Sequence, residues 1–255
     1  MTIDIRDINY VNISEVRKTA HIGGGIITRE LAKALGVQGL IRPTAPNASV
    51  GYVSWATLGG YSPLSTKYGL GVDQIIGAKY VNAKGALVDA VYSLKEILEG
   101  TFVFESTNKH AAWASFIDGY NKPTANHDEG RRWMAKTVAL GTCVREVIKT
   151  NSWSTYCEEK EKLAGYGVYG RARTLNFKDL TPKTVEILAK YNESVPGPGS
   201  IFLMKFHRDP GHYLDSMFSP RCDYYWLEII ATSLEEAGAE VADQWALNLQ
   251  RELAD

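Results

Sequence analysis

Between residues 49 and 85 the chain sets glycines at 51, 59, 60, 69 and 71, each beside a small or aromatic residue, and again at 77 and 85, with no charge before Lys67. A glycine lacks Cβ, so it lets backbone approach backbone or a ligand closely and takes up positive φ at little cost. A segment with this many such positions is either a tightly packed, β-rich turn region or a loop whose amides cradle a phosphate-bearing group. A hairpin reading follows it directly. Residues 74–81 are a mostly apolar run, Asn82-Ala83-Lys84-Gly85 is turn chemistry, and residues 86–88 return as a strand.

The rest of the composition narrows the class. At 255 residues the chain can bury a sizeable core in one large or two small domains, and 45% hydrophobic with 22% charged residues is ordinary for a globular protein. A formal net charge of -1 gives no electrostatic reason to expect nucleic acid or an anionic membrane as a partner. No apolar run reaches the roughly 20 residues that span a bilayer. The opening MTIDIRDINY carries charges where a signal peptide needs an apolar stretch, so a cytoplasmic location is expected. Cys143, Cys157 and Cys222 are widely spaced and fit free thiols in a reducing compartment. The histidines 21, 110, 127, 207 and 212 form no HExxH and no i,i+4 pair, so no metal site is expected. Hydrolase and NTPase signatures are absent too, there being no GxSxG and no Walker A sequence.

Taken in order, residues 3–22 alternate apolar and polar pieces and read as two or three strands. Residues 28–35 read as a helix with Gly36 as its stop. A strand entering a helix through Gly23-Gly24-Gly25 invites a dinucleotide-binding reading, but the third glycine of that fingerprint is missing and no acidic residue follows at the right spacing. Residues 92–106 read as a strand, 109–120 and 128–140 as helices, and 142–148 as a strand. Residues 180–191 read as a helix with Thr181 as N-cap and Pro182 at its first turn. Residues 201–206 and 224–230 read as strands. Residues 233–253 read as an amphipathic helix carrying Leu234, Val241, Trp245, Leu249 and Leu253 on one face, with a capping box at residues 232–236. The composite is α+β, with a glycine-rich domain over residues 1–90 and an antiparallel sheet backed by helices over residues 91–255.

The order of residues in VGYVSWATLGGYSPLSTKYGLGVDQIIGAKYVNAKG, with the leader IDIRDINYVNISEVRKTAHIGGGIITRELAKAL, resembles the FAD-binding domain of berberine-bridge-type FAD-linked oxidoreductases (PCMH-type, fungal branch). GRRWMAKTVALGT, GRARTLNFKDLTPKTVEILAKYNESVPGPGS and WALNLQREL resemble the substrate domain of the same family. The resemblance implies a partial PCMH-type flavin domain over 1–90 and a substrate-binding domain over 91–255. It implies an oxidase or dehydrogenase that passes a hydride from a small organic or secondary-metabolite substrate to FAD. It further implies that Ser49, Val50, Gly51, Tyr52, Gly59, Gly60, Gly69, Leu70 and Asp73 line the flavin and its phosphates.

Departures from the family pattern carry expectations of their own. The histidine-bearing R-x-G-G-H loop of the family would lie ahead of Met1, the cysteine of doubly attached members falls where Asn47 stands, and an RGGGGNFGVV-type stretch is missing after Ala90. The expectation is a truncated member in which FAD is non-covalent or lost. The alternative is a flavin-free remnant with a binding or non-redox role. Substrate identity and oligomeric state are not set by the sequence.

Glu228 is the carboxylate singled out as catalytic. In YYWLEII the two-residue strand period puts Trp226, Glu228 and Ile230 on one face, a setting suited to a general base. In the resembled family an acidic or amide side chain on a comparable strand faces the flavin. Glu228 as an edge carboxylate paired with Arg221 is the competing reading.

Overall fold

The structure, a computed structural model, describes residues 3–91, 111–114, 118–121, 151–162, 166–197, 200–207 and 222–254, with single positions at 131, 132, 135, 136, 139 and 209. The chain divides into two compact units, Met1–Leu163 with Asp209–Arg221, and Ala164–Arg208 with Cys222–Asp255.

In the first unit β1 (Val11–Ile13) and β2 (Ala20–Ile22) pair antiparallel, Asn12 opposite His21. They lead into α1 (Thr28–Val37), whose entry is held by the Glu30 carboxylate accepting the Ile27 N–H. The helix runs through Gly36 rather than stopping there, because the αL turn that ends it falls later, at Gly39 with φ 68°. Leu31 and Leu35 join Ile26, Leu40, Tyr52 and Ala56 in one core cluster. Ala32, on the adjoining stripe, joins Ile41, Ala48, Leu64, Trp153, Tyr156 and Cys157 in a second.

Two short helices follow, α2 (Tyr52–Thr57) and α3 (Ser65–Tyr68), and then a 3-10 turn at Val72–Gln74. The hairpin β3 (Gly77–Val81) with β4 (Leu87–Val91) turns on Asn82, whose side-chain oxygen accepts from the Lys84 and Ala86 amides. Where residues 109–120 were expected as a helix, the structure has the antiparallel pair β5 (Ala111–Ala114) and β6 (Asp118–Asn121). The apolar pairs 112–113 and 116–117 fit either period over so short a run, and Gly119 weakens the helical option. The expected elements at 92–106 and 142–148 lie outside the described residues, and of 128–140 only Arg131, Arg132, Ala135 and Lys136, as helical, and Ala139, as a turn, are described.

The helix α4 (Trp153–Glu161) has no counterpart in the sequence reading. Ser152 caps it, accepting from the Thr155 amide at 3.2 Å. Its buried residues Trp153, Tyr156 and Cys157 fall at i, i+3 and i+4, and the Trp153 ring N–H donates to Thr44 Oγ1 at 2.8 Å.

The second unit is a three-stranded antiparallel sheet ordered β7 (Tyr169–Phe177), β9 (Tyr224–Ser233), β8 (Ile201–His207). Helices α5 (Pro182–Asn192) and α6 (Ala239–Ala254) complete it. α5 starts as expected, with Thr181 Oγ1 accepting from the Thr184 amide at 3.1 Å. α6 starts six residues later than expected, after a 3-10 turn at Glu236–Gly238, so Leu234 and Val241 are exposed instead of lying on the core face. Leu227, Ile229 and Ala231 of β9 pack with Ile187, Leu188, Ala242, Trp245, Ala246 and Leu249. Arg173 of β7 clamps Asp243 of α6 with bonds of 2.8 and 2.9 Å from one guanidinium nitrogen.

Candidate functional site

The glycine-rich stretch of the first unit closes on itself. Gly71 donates its N–H to the Gly60 carbonyl at 2.7 Å and Val72 donates to Gly59 at 3.0 Å, so residues 59–60 and 71–72 run in direct backbone contact. A Cβ on Gly60 would lie 2.7 Å from the Gly71 Cα, and one on Gly71 would lie 2.5 Å from the Trp55 ring. Trp55 is itself tied down by its ring N–H donating to the Tyr61 carbonyl at 3.1 Å. The Asp73 carboxylate accepts the Leu70 amide at 2.9 Å and closes the turn after Gly69, whose φ is 83°. Arg42 bonds the Gln74 carbonyl at 2.7 Å and lies 3.3 Å from the Tyr52 hydroxyl, joining this turn to α2.

The other expected cofactor residues form a wall over the start of α1. Ile27 and Gly51 make an isolated antiparallel bridge, Thr28 donates to the Val50 carbonyl at 2.8 Å, and Tyr52 donates to Ile26 at 2.9 Å. The Ser49 amide donates to the Glu161 carboxylate at 3.0 Å. Burial acts to raise the Glu161 carboxyl, but the bonds from Ser49 and the nearby Arg29 charge outweigh it and hold it below the ordinary carboxylate range.

The structure thus brings the nine expected residues into two groups. Ser49, Val50, Gly51 and Tyr52 lie along the start of α1; Gly59, Gly60, Gly69, Leu70 and Asp73 form the close-packed crossing behind α2. The crossing spends several of its amides on internal carbonyls, which makes it a support. The wall fits a ligand better. A Cβ on Gly51 would meet only Ser54 Oγ, at 3.2 Å. Thr28 Oγ1, fully buried in the first turn of α1, has no hydrogen-bond partner among the described residues. A buried hydroxyl without a partner is costly, and an oxygen- or nitrogen-rich group beside it would remove that cost. These residues fit FAD on that ground. Thr28 was missed in the sequence because a threonine opening a helix reads as local capping chemistry.

In the second unit Trp226, Glu228 and Ile230 share the face of β9 opposite Leu227, Ile229 and Ala231, as the two-residue period predicts. Glu228 stands opposite Thr174 of β7 and Leu203 of β8. Its partner is Lys205, whose Nζ donates to Oε2 at 3.1 Å and stands 4.3 Å from the centre of the Trp226 ring. Arg221, the partner weighed from the sequence, lies outside the described residues. Among the described residues no cluster of His, Cys, Asp or Glu could hold a metal ion, and no helix is long and apolar enough to cross a membrane.

With that geometry in place, comparison with known proteins defines the class: residues 1–90 match the FAD binding domain family. The chain is 27% identical to the FAD-linked oxidoreductase aurO of Gibberella zeae, over 96% of this chain and 60% of that protein. It is 36% identical to (R)-6-hydroxynicotine oxidase of Paenarthrobacter nicotinovorans, over 34% of this chain and 19% of that protein. Among solved structures, 6-hydroxy-D-nicotine oxidase from Arthrobacter nicotinovorans superposes with a TM-score of 0.71 at 17% identity, covering 98% of this chain and 69% of that one. A variant of the BBE-like 1 protein of Physcomitrella patens gives 0.73 at 14% identity, covering 97% and 69%. The chain is therefore similar to the berberine-bridge-type FAD-linked oxidoreductases and shares the α+β fold of its solved neighbours, and its residues 1–90 match an FAD binding domain. It spans about three-fifths of the length of the Gibberella protein that it matches nearly end to end.

Proposed function

We propose that this chain acts as an FAD-linked oxidoreductase on a small organic substrate, with FAD held non-covalently. The observation that carries the reading is the coincidence of the family match over residues 1–90 with the wall at Ser49–Tyr52, where Thr28 Oγ1 is buried without a partner. Thr28, Ser49, Val50, Gly51 and Tyr52 would hold the cofactor. Gly59, Gly60, Gly69, Leu70 and Asp73 would keep that wall in place. Asn47, at the family's cysteine position, offers no nucleophile for a covalent link. Bound FAD supplies the two-electron acceptor. Glu228 of the second unit is the base of this reading: its carboxylate would take a proton from the substrate's O–H or N–H group. Trp226 and Ile230 beside it give that proton transfer an apolar surround.

The test is purification of the full chain in the presence of FAD, followed by gel filtration and an absorption spectrum before and after acid precipitation. Flavin that co-elutes with the protein and is released by acid into the supernatant is the expected result. A protein fraction free of flavin would overturn the cofactor assignment, and a yellow pellet would overturn the non-covalent one. In loaded protein, Glu228→Gln is expected to lower turnover by about 100-fold or more, as loss of a general base does.

A further inference from the structure

We propose that Lys205 is a specificity-determining residue that sets the Glu228 site to accept a neutral hydroxyl group in preference to a protonated amine. The inference rests on the reading of Glu228 as the substrate-facing base. The proposed function leaves two substrate chemistries open, a C–H beside O–H and a C–H beside nitrogen. At neutral pH they differ in charge and in hydrogen-bonding sense, and the structure bears on both.

Lys205 and Glu228 come from neighbouring strands, β8 and β9, and are offset by two pairs in the register, Lys205 standing opposite Trp226 and Leu203 opposite Glu228. The Lys205 side chain reaches along this face to place Nζ 3.1 Å from Glu228 Oε2. The same ammonium sits over the Trp226 ring, 4.3 Å from its centre. Side-chain exposure is 23% for Lys205 and 25% for Glu228, so the pair is largely shielded while remaining reachable. A lysine engaged at once by a carboxylate and an indole face is held in one arrangement, unlike a solvated surface lysine. Oε2 is taken up by Lys205, whereas Oε1 accepts no hydrogen bond from any described residue.

The chemistry of that arrangement is selective. With Lys205 in place its ammonium offsets the charge of the Glu228 carboxylate, which weakens the attraction that this carboxylate has for a cation. A protonated amine reaching Oε1 would bring a second positive charge next to Nζ and would have no acceptor to offer the ammonium. A hydroxyl carries no charge. It donates to Oε1 and presents its oxygen to the ammonium side, matching one acceptor and one donor. Leu203 and Ile230, on the same face, supply apolar contact for the carbon skeleton.

The experiment uses two probes that differ only in the tested group, naphthalen-2-ylmethanol and naphthalen-2-ylmethylamine, titrated by calorimetry at pH 7 into the full chain, with no turnover required. Wild type is expected to bind the alcohol more tightly. Lys205→Met and Lys205→Gln should each reverse the order, weakening the alcohol and tightening the amine by about tenfold, the ratio that corresponds to about 1.4 kcal/mol. Lys205→Arg should keep the wild-type order. A preference for the alcohol that survives in both Met and Gln variants overturns the proposal, as does failure of wild type to bind either probe. Glu228→Gln separates the two levels of inference. If it leaves both affinities unchanged, the assignment of Glu228 as the substrate-facing carboxylate fails. If it changes them while the Lys205 variants do not, only the role of Lys205 fails.

Discussion

Gly60 and Gly71 meet backbone to backbone: the Gly71 N–H donates to the Gly60 carbonyl at 2.7 Å, and a Cβ on Gly60 would fall 2.7 Å from the Gly71 Cα. The glycines are eleven positions apart, and what joins them is the absence of side chains. Gly60 also has φ 74°, a region that other L-residues enter at a cost. Gly60→Ala should therefore add strain at φ to a clash with immovable backbone. The expected loss is about 2–5 kcal/mol, summed from a positive-φ cost of about 1–2 and an overpacking cost of about 1–3. Urea denaturation followed by the Trp fluorescence of the first unit measures it. A loss below about 0.5 kcal/mol, the range of an inert surface change, would contradict the crossing.

Gly36 is the control with the opposite sign. It lies inside α1, and a Cβ there would meet nothing within 4 Å. Alanine suits a helix better than glycine and restricts the unfolded chain, so Gly36→Ala should stabilise the first unit by about 0.5–1 kcal/mol. The same denaturation experiment reads it, and the two variants should move the midpoint in opposite directions.

Which parts of this architecture were legible in the sequence follows from how local their causes are. Thr181-Pro182 and the Asn82–Gly85 turn act within a few residues, and α5 and the β3–β4 hairpin appear where they were read. β7 was missed because Gly170, Arg171 and Arg173 break the apolar alternation. Its Arg173 is explained by Asp243, 70 residues further on. α4 was missed because only Trp153, Tyr156 and Cys157 of its nine residues are buried; their i, i+3, i+4 spacing after Ser152 was the available signal. At the candidate site the face carrying Glu228 was legible from strand period. Its Lys205 partner was not, since strand order and register are tertiary properties.

Trp245 tests the second unit. It is 9% exposed, stands edge-on to the Tyr191 ring at 6.2 Å, and its Nε1 has no hydrogen-bond partner among the described residues. Packing, not a hydrogen bond, is what the side chain contributes. Trp245→Ala should cost about 3–5 kcal/mol. Trp245→Phe keeps most of the ring contact, breaks no bond, and should cost less than about 1.5 kcal/mol. Near-equal losses for the two variants would mean that the indole N–H has a partner in solution.

Cys157 makes a prediction about pH in the first unit. Its thiol is buried against Ala45, with Sγ 3.7 Å from that carbonyl oxygen. Burial pushes its pKa from the ordinary 9.0 up to about 12, and burial also raises the Tyr156 hydroxyl next to it. The folded state therefore keeps a proton that the unfolded chain releases near pH 9. The stabilisation from this group is full below pH 9 and declines as pH rises toward 12, by at most about 1.4 kcal/mol per pH unit. In a Cys143→Ser background, Cys222 is exposed and should react with a disulfide reagent at pH 8 at once, while Cys157 should react only after denaturation. Adding Cys157→Ala removes the thiol and should reduce the stability lost between pH 9 and pH 10 by about 1 kcal/mol, within the linkage limit for one group. Prompt reaction of a second thiol in the native protein, or an unchanged pH slope in Cys157→Ala, would show that α4 does not seal this residue against the 44–45 loop.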